Sequence, residues 1–195
     1  MFWNASTAPG QAAHFEALYA GSDDPWSYER DRVERCKRAV IGRMLGAGRL
    51  GRGLELGCGP GVSTRELAPR FLRLEAVDVA RGAVAHARSR TAHLPHVTIR
   101  QAALPLRLAC ARYDAAIASE VLYYLAGRER RATMASTFAA LRPGGRLVVV
   151  NTVWRYDDMT CTSARIGTEL RALFGAPRSA VRTRHWVAEA FVKPR

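Results

Sequence analysis

The amino-acid sequence predicts an α/β protein in three layers, a mostly parallel sheet of about seven strands with helices on both faces. Three observations carry that expectation. The run Gly53-Leu54-Glu55-Leu56 enters a glycine-rich turn, Gly57-Cys58-Gly59-Pro60-Gly61, and a helical pattern follows from Val62 to Arg70. A second apolar run, Leu72–Val77, ends on an acid, Asp78. Strand-length apolar runs then alternate with helical patterns as far as Asn151, joined by short connections, which implies repeated crossovers and a parallel sheet.

Taken in order, the first 11 or so residues are small and polar around Pro9-Gly10, and a loose start is expected. Phe15, Leu18 and Tyr19 mark a short helix over Gln11–Ala20, broken by Gly21-Ser22-Asp23-Asp24-Pro25 because the residue before proline avoids the helical region. A longer amphipathic helix is expected from Glu29 to Leu45, burying Val33, Cys36, Val40, Ile41 and Met44, and ended by Gly46-Ala47-Gly48. Strands follow at Gly53–Leu56, Leu72–Val77, Val97–Gln101, Tyr113–Ser119 and Arg146–Asn151, with helices at Val62–Arg70, Gly82–Arg90 and Arg128–Leu141. Arg142-Pro143-Gly144-Gly145 reads as a turn, 152–162 as a loop and 163–174 as a helix. Ser179–Arg184 and Trp186–Val192 read as the last two strands, one of them antiparallel at the sheet edge.

Composition narrows the function classes. At 195 residues the chain reads as one domain with a real core. The formal charge of +13 invites a nucleic-acid reading. Against it, the cations are nearly all arginines spread along the chain, Lys37 and Lys193 being the only lysines, and no long like-charge run occurs. Contact with an anionic substrate or a membrane surface stays open. Cys36, Cys58, Cys110 and Cys161 form no paired motif, so metal and redox chemistry are not expected and a reducing cytoplasm is. No signal sequence and no apolar membrane span is evident.

The glycine turn allows a ligand close approach to backbone, and the following helix start offers free N–H groups. Asp78, about 20 residues past Gly57, is placed at a strand tip to take two ribose hydroxyls; the competing reading is an N-cap for the segment from Ala80. The third glycine comes one residue too early for a dinucleotide fingerprint, which would need it at Val62.

This spacing, with Glu55 two residues before Gly57, resembles motif I of the class I S-adenosyl-L-methionine (SAM) methyltransferases, a Rossmann-like fold. Further residues carrying the likeness are Asp78, Tyr113-Asp114 and Leu141-Arg142-Pro143-Gly144-Gly145. A narrower resemblance, to the nodulation protein S (NodS-like) N-methyltransferases, rests on Asp23-Asp24-Pro25-Trp26, Glu34-Arg35 and Ser119-Glu120-Val121-Leu122-Tyr123-Tyr124-Leu125. It covers most of residues 14–151. The resemblance implies a single methyltransferase domain over 1–195, with 1–48 as an N-terminal helical lid, 53–151 as the cofactor-binding core and 152–195 as the acceptor-side region.

It also implies roles. Gly57, Cys58, Gly59 and Gly61 would surround the methionine part of SAM, whose product is S-adenosyl-L-homocysteine. Adenine would be held near Val79, Ala103 and Leu104, the acid usual at the end of the third strand being absent. Trp26, with Tyr28, would shield the sulfonium, where an aromatic face favours a cation by about 0.5–2 kcal/mol. Lys37 would reach the cofactor carboxylate, or else lie on a solvated helix face. Glu55 would bind the cofactor, orienting the loop or meeting the SAM amino group through water, or else be an exposed strand acid. Glu120 would accept hydrogen bonds from the cofactor or the substrate amine, and Glu120 and one of the tyrosines, Tyr124 being the choice, would serve the chemical step, unless Glu120 is an N-cap. The acceptor implied is a small molecule, an amine nitrogen as on an amino sugar or saccharide conjugate. A nucleic-acid methyltransferase and a non-catalytic SAM-binding accessory protein are the alternatives, and the oligomeric state is left open.

Overall fold

In the computed structural model the described residues are 9–195, and most of the expected loose start lies outside them. Two helices lead: α1 (Pro9–Gly21) and α2 (Arg32–Met44). The alternating core follows as β1 (Leu50–Leu56), α3 (Val62–Leu67), β2 (Phe71–Asp78), α4 (Arg81–Thr91), β3 (Val97–Gln101) and β4 (Tyr113–Ser119). Then come α5 (Gly127–Ala140), β5 (Leu141–Thr152), α6 (Ser163–Phe174), β6 (Ser179–Arg182) and β7 (Trp186–Val192). The seven strands form one sheet in the order β3-β2-β1-β4-β5-β7-β6. Strands β1 to β5 are parallel, and β7 runs antiparallel to both of its neighbours.

The strand order reverses between β1 and β4. At such a switch point the connections leave in opposite directions and a crevice opens at the carboxyl ends of the strands. The central strands are apolar on both faces because both are covered. In β5, Val148 and Val150 face a core shared with Val40 and Ile41 of α2 and Leu67 of α3, whereas Leu147 and Val149 face Met134 of α5 and Ile166 and Leu170 of α6. Each such side chain, fully buried, contributes about 1.5–3 kcal/mol, so the sheet is a rigid base for loops at its upper edge.

The fold departs from expectation in three places. The antiparallel strand is β7, one in from the edge, and β6 takes the edge itself; β7's alternate residues are buried on both faces, which an edge cannot provide. The turn at 142–145 is absorbed into the start of β5, where pairing jumps from Tyr113↔Leu141 to Ala115↔Arg146 and Gly144 sits at φ 78°. Helix α2 starts at Arg32, after Asp31 accepts a 2.6 Å hydrogen bond from the Val33 N–H as its N-cap. Its buried face is also rotated by a residue: Lys37 and Arg38 are buried and Cys36 is exposed.

Candidate active site

A cavity of about 740 Å³, its open mouth included, lies at the carboxyl ends of β1, β2 and β4, beneath α1 and the segment before α2. Its floor is the glycine turn. Gly57 (φ 66°) and Gly59 (φ 52°) both line it, and both need the left-handed backbone. A Cβ on Gly57 would stand 2.6 Å from Val121 Cγ2, so this position has no room for a side chain. Gly61 (φ 83°) is instead the N-cap of α3, packed so closely on Ala87 that a Cβ would lie 2.7 Å from its Cα.

Asp78 ends β2 on the cavity wall. Its Oδ2 accepts from the Gly59 N–H at 2.8 Å and its Oδ1 from the Ala80 N–H at 3.0 Å. The N-cap of α4 is Ala80, with no side-chain capping bond, so Asp78 is not a helix cap; it ties the glycine turn to the segment leading into α4. Burial raises its pKa above the ordinary carboxylate value, although those backbone bonds pull it down. A carboxylate offers about four lone-pair sites, so roughly half its accepting capacity is left for the cavity.

Glu120, at the end of β4, holds a left-handed backbone (φ 56°) that costs a non-glycine residue about 1–3 kcal/mol. The surrounding bonds over-determine it. Its N–H donates to Val150 O at 2.8 Å. Its Oε1 accepts from Lys37 Nζ at 2.6 Å, and its Oε2 accepts from Tyr123 Oη and the Thr152 N–H, each at 2.8 Å. The carboxylate thus binds α2, the turn after β4 and the end of β5 to each other, and it caps no helix. Lys37 is 5% exposed and also donates to Glu34 Oε1 at 2.7 Å. Burial alone would lower its pKa, but the two carboxylates raise it, so it stays charged. Two carboxylates on one ammonium leave one net negative charge beside the cavity.

Aromatic rings roof this acidic floor. Trp26 stands 5.7 Å from both Tyr19 and Tyr28, and Phe15 meets Tyr124 edge-on at 4.8 Å, centroid to centroid. Tyr124 lines the cavity, while Tyr123 is in the core with its hydroxyl on Glu120. Burial pushes the Tyr19 and Tyr124 phenols well up, so both are neutral O–H groups. At the rim, His14 of α1 and Asp158 of the 153–162 loop approach to 3.5 Å, and Trp154 and Tyr156 stand exposed on that loop.

Of the residues the sequence singled out, the structure brings Trp26, Gly57, Gly59, Asp78, Val79, Leu104, Glu120 and Tyr124 to one wall. Others fall outside it. Lys37 is spent on Glu34 and Glu120, and lies neither on a solvated face nor on the wall. Glu55 is not an exposed acid; it is buried, accepts from Thr64 Oγ1 at 2.6 Å, and burial raises its pKa to about 7. Cys58 is buried off the wall with its thiol pushed up by burial, Gly61 serves packing, and Ala102 takes the wall position expected of Ala103. Phe15, Tyr19, Ser119 and Val121 are wall residues that sequence reasoning did not assign. For Phe15 and Tyr19 the signal was present, as aromatics one helical turn apart just ahead of the Asp-Asp-Pro-Trp segment. Among the described residues no cluster could hold a metal ion, and no helix is long and apolar enough to cross a membrane.

Comparison with known proteins agrees with this fold. The N-methyltransferase NodS from Bradyrhizobium japonicum WM9, solved in complex with S-adenosyl-L-homocysteine, superposes with a TM-score of 0.81 over 94% of this chain and 98% of that one, at 25% identity. The sheet order and the glycine turn at its switch point define a Rossmann-like protein of the methyltransferase fold. The family described as nodulation protein S (NodS) matches residues 17–163, and the chain belongs to it. Nodulation protein S of Rhizobium tropici is 32% identical over 129 residues, covering 65% of this chain and 54% of that protein. The counterpart from Bradyrhizobium diazoefficiens is 34% identical over 104 residues, covering 53% and 50%. The chain spans about half to three-fifths of the length of the curated relatives it matches.

Proposed function

We propose that this protein is a SAM-dependent methyltransferase that methylates a small polar acceptor at an amine nitrogen, as on an amino sugar or saccharide conjugate. The observation that carries the reading is the cavity wall itself: a glycine turn that puts only Gly57 and Gly59 on the wall, the half-committed carboxylate of Asp78, and an acidic, aromatic chamber meet at one switch point. Those features fit SAM. The Gly57–Gly59 turn leaves room for a ligand against backbone, Asp78 has acceptors to spare for ribose hydroxyls, and Val79, Ala102 and Leu104 offer an apolar slot for a base. A cationic group would find the Trp26, Tyr28 and Tyr124 rings and one net negative charge around it.

When bound, SAM supplies a methyl group on a sulfonium, whose departure as a neutral thioether needs no protonation. The chain's own residues then have to hold, orient and dry the acceptor, and rate acceleration comes chiefly from that positioning. Glu120, already accepting from three donors, orients an incoming N–H more readily than it removes a proton, and Tyr124 presents a neutral hydroxyl beside it. Of the lid expected over 1–48, the described residues 9–48 take that part on this reading, with 53–151 as the cofactor core and 152–195 as the acceptor side, Trp154 and Tyr156 at the rim. The reaction belongs in the cytoplasm on this reading, which fractionation of native cells checks.

The test is calorimetric titration of SAM, S-adenosyl-L-homocysteine and NAD into the wild type and Asp78→Ala. Micromolar binding of the two adenosyl ligands, weakened at least tenfold in the variant, is expected. Binding of NAD alone would overturn the cofactor reading. Binding without turnover across an amine panel that includes amino sugars would favour an accessory protein.

A further inference from the structure

The molecule carries its charge in two poles. Among the described residues no basic side chain lines the ligand cavity, whose charged residues are Asp78 and Glu120. Toward the opposite ends of the same strands lies a second, larger groove of about 1210 Å³, open to solvent, lined by Arg52, Arg73, Arg100, Arg112 and His96. Arg52 and Arg73 each precede a cavity residue of their own strand, Gly57 and Asp78, by five positions, roughly 16 Å. The groove is therefore separate from the proposed active site.

Its arginines are not arranged as solvated surface charges usually are. Arg52 of β1 and Arg73 of β2 are direct register partners on parallel strands, so they share one face. Like charges so placed repel each other. Among the described residues no acceptor or carboxylate reaches either guanidinium. The one acid on this wall, Glu75, is already taken: its Oε1 accepts from Arg100 at 2.5 Å and its Oε2 from Tyr113 Oη at 2.9 Å. Burial would raise the Glu75 pKa, but those bonds hold it below the usual value, so it stays ionised with both oxygens already engaged. Other cations near these strand ends spend donors on backbone carbonyls, Arg70 on Gly46 and Arg146 on Leu45, but Arg52 and Arg73 do not. Two adjacent, unpartnered guanidinium forks in a concave polar groove match the oxygens of neighbouring phosphate groups.

We propose that this groove is a binding site for a diphosphate group, with Arg52 and Arg73 as its principal ligands and Arg112 at its margin. The concavity favours an inserted small anion over a flat membrane or a nucleic-acid strand. The site is independent of the methyltransferase reading.

The test uses the full chain, its Arg52→Gln/Arg73→Gln variant and, as a control, Arg182→Gln on the exposed edge strand. Inorganic pyrophosphate and uridine diphosphate are titrated by calorimetry at fixed ionic strength, which separates a free from an esterified diphosphate. At least one is expected to bind, at least tenfold more weakly to the double variant and unchanged in the control. Because the arginine pair repels, the ligand-free double variant should melt at or above the wild-type temperature, where loss of a structural role would lower it. S-adenosyl-L-homocysteine affinity, measured in the same proteins, should be the same in all three. The inference is overturned if sodium chloride of equal ionic strength reproduces the effect, or if the double variant binds within twofold of wild type. Arginine-dependent retention on anionic vesicles or single-stranded DNA without diphosphate binding would overturn it as well.

Discussion

Removing the charge of Lys37 should loosen α2 from the cavity edge of the sheet. Lys37 and Glu120 lie 83 positions apart in the chain, yet their charged atoms are 2.6 Å apart with side-chain exposures of 6% and 12%. In Lys37→Met the stem still packs, but Glu34 and Glu120 are left without their shared cation. Breaking a buried ion pair by deleting one partner costs about 3–5 kcal/mol. For a domain of this size each kcal/mol moves Tm by roughly 2–4 °C, which places the loss at about 6–20 °C. Urea denaturation of Lys37→Met, Glu120→Gln and the double variant forms the assay. Neutralising Glu120 as well should recover a large part of the loss, because the stranded charge is the main cost. S-adenosyl-L-homocysteine affinity, followed in parallel, should fall in Lys37→Met as Glu120 loses its place. A cost below about 1 kcal/mol, the range of an exposed pair, with no coupling in the cycle, would refute the reasoning.

Three further substitutions test a buried acid and separate the packing glycine from the cavity glycine. Glu55 has a folded-state pKa raised from 4.5 to about 7 by burial. A raised acid pKa means the folded state holds the proton more tightly, so stability declines as pH rises from about 4.5 to 7 and is level above. At about 1.4 kcal/mol per pKa unit, Glu55→Gln should gain about 3 kcal/mol relative to wild type between pH 4.5 and pH 8, and parallel urea curves at the two pH values would contradict this. Gly61→Ala meets both a φ of 83° and the Ala87 backbone at 2.7 Å, and should cost about 2–4 kcal/mol. Gly59→Ala meets a φ of 52° and the Tyr19 hydroxyl at 2.8 Å, beside the cavity, and should weaken S-adenosyl-L-homocysteine binding more than Gly61→Ala does. Equal effects of the two on affinity would contradict the separation of cavity and packing glycines.

Much of this was legible in the residues because it is local. The glycine turn needs left-handed backbone wherever it falls, and Asp78 sits at a spacing that the strand–helix–strand unit imposes. The failures share a cause, which is that their partners are distant. Cys36 looks like a core residue and Lys37 like a surface one by hydropathy. Lys37 goes inside because Glu120, from another layer, supplies the missing charge. Glu55 reads as an alternating strand acid, and only the packing of α3 over β1 shows that it is sealed in with Thr64. Likewise β6 and β7 both read as strands, but which of them lies beside β5 is decided by pairing.

By itself the sequence determined the fold class, most of the elements, the switch-point turn and Asp78, since hydrophobic period, glycine conformation and motif spacing act within a few residues of one another. The tertiary structure decided which of the marked residues share a wall, that Glu120 is held by three donors, and that arginines from separate strands gather in one groove. Burial and electrostatics depend on what the rest of the chain brings alongside, and that is known only when the sheet has closed its layers.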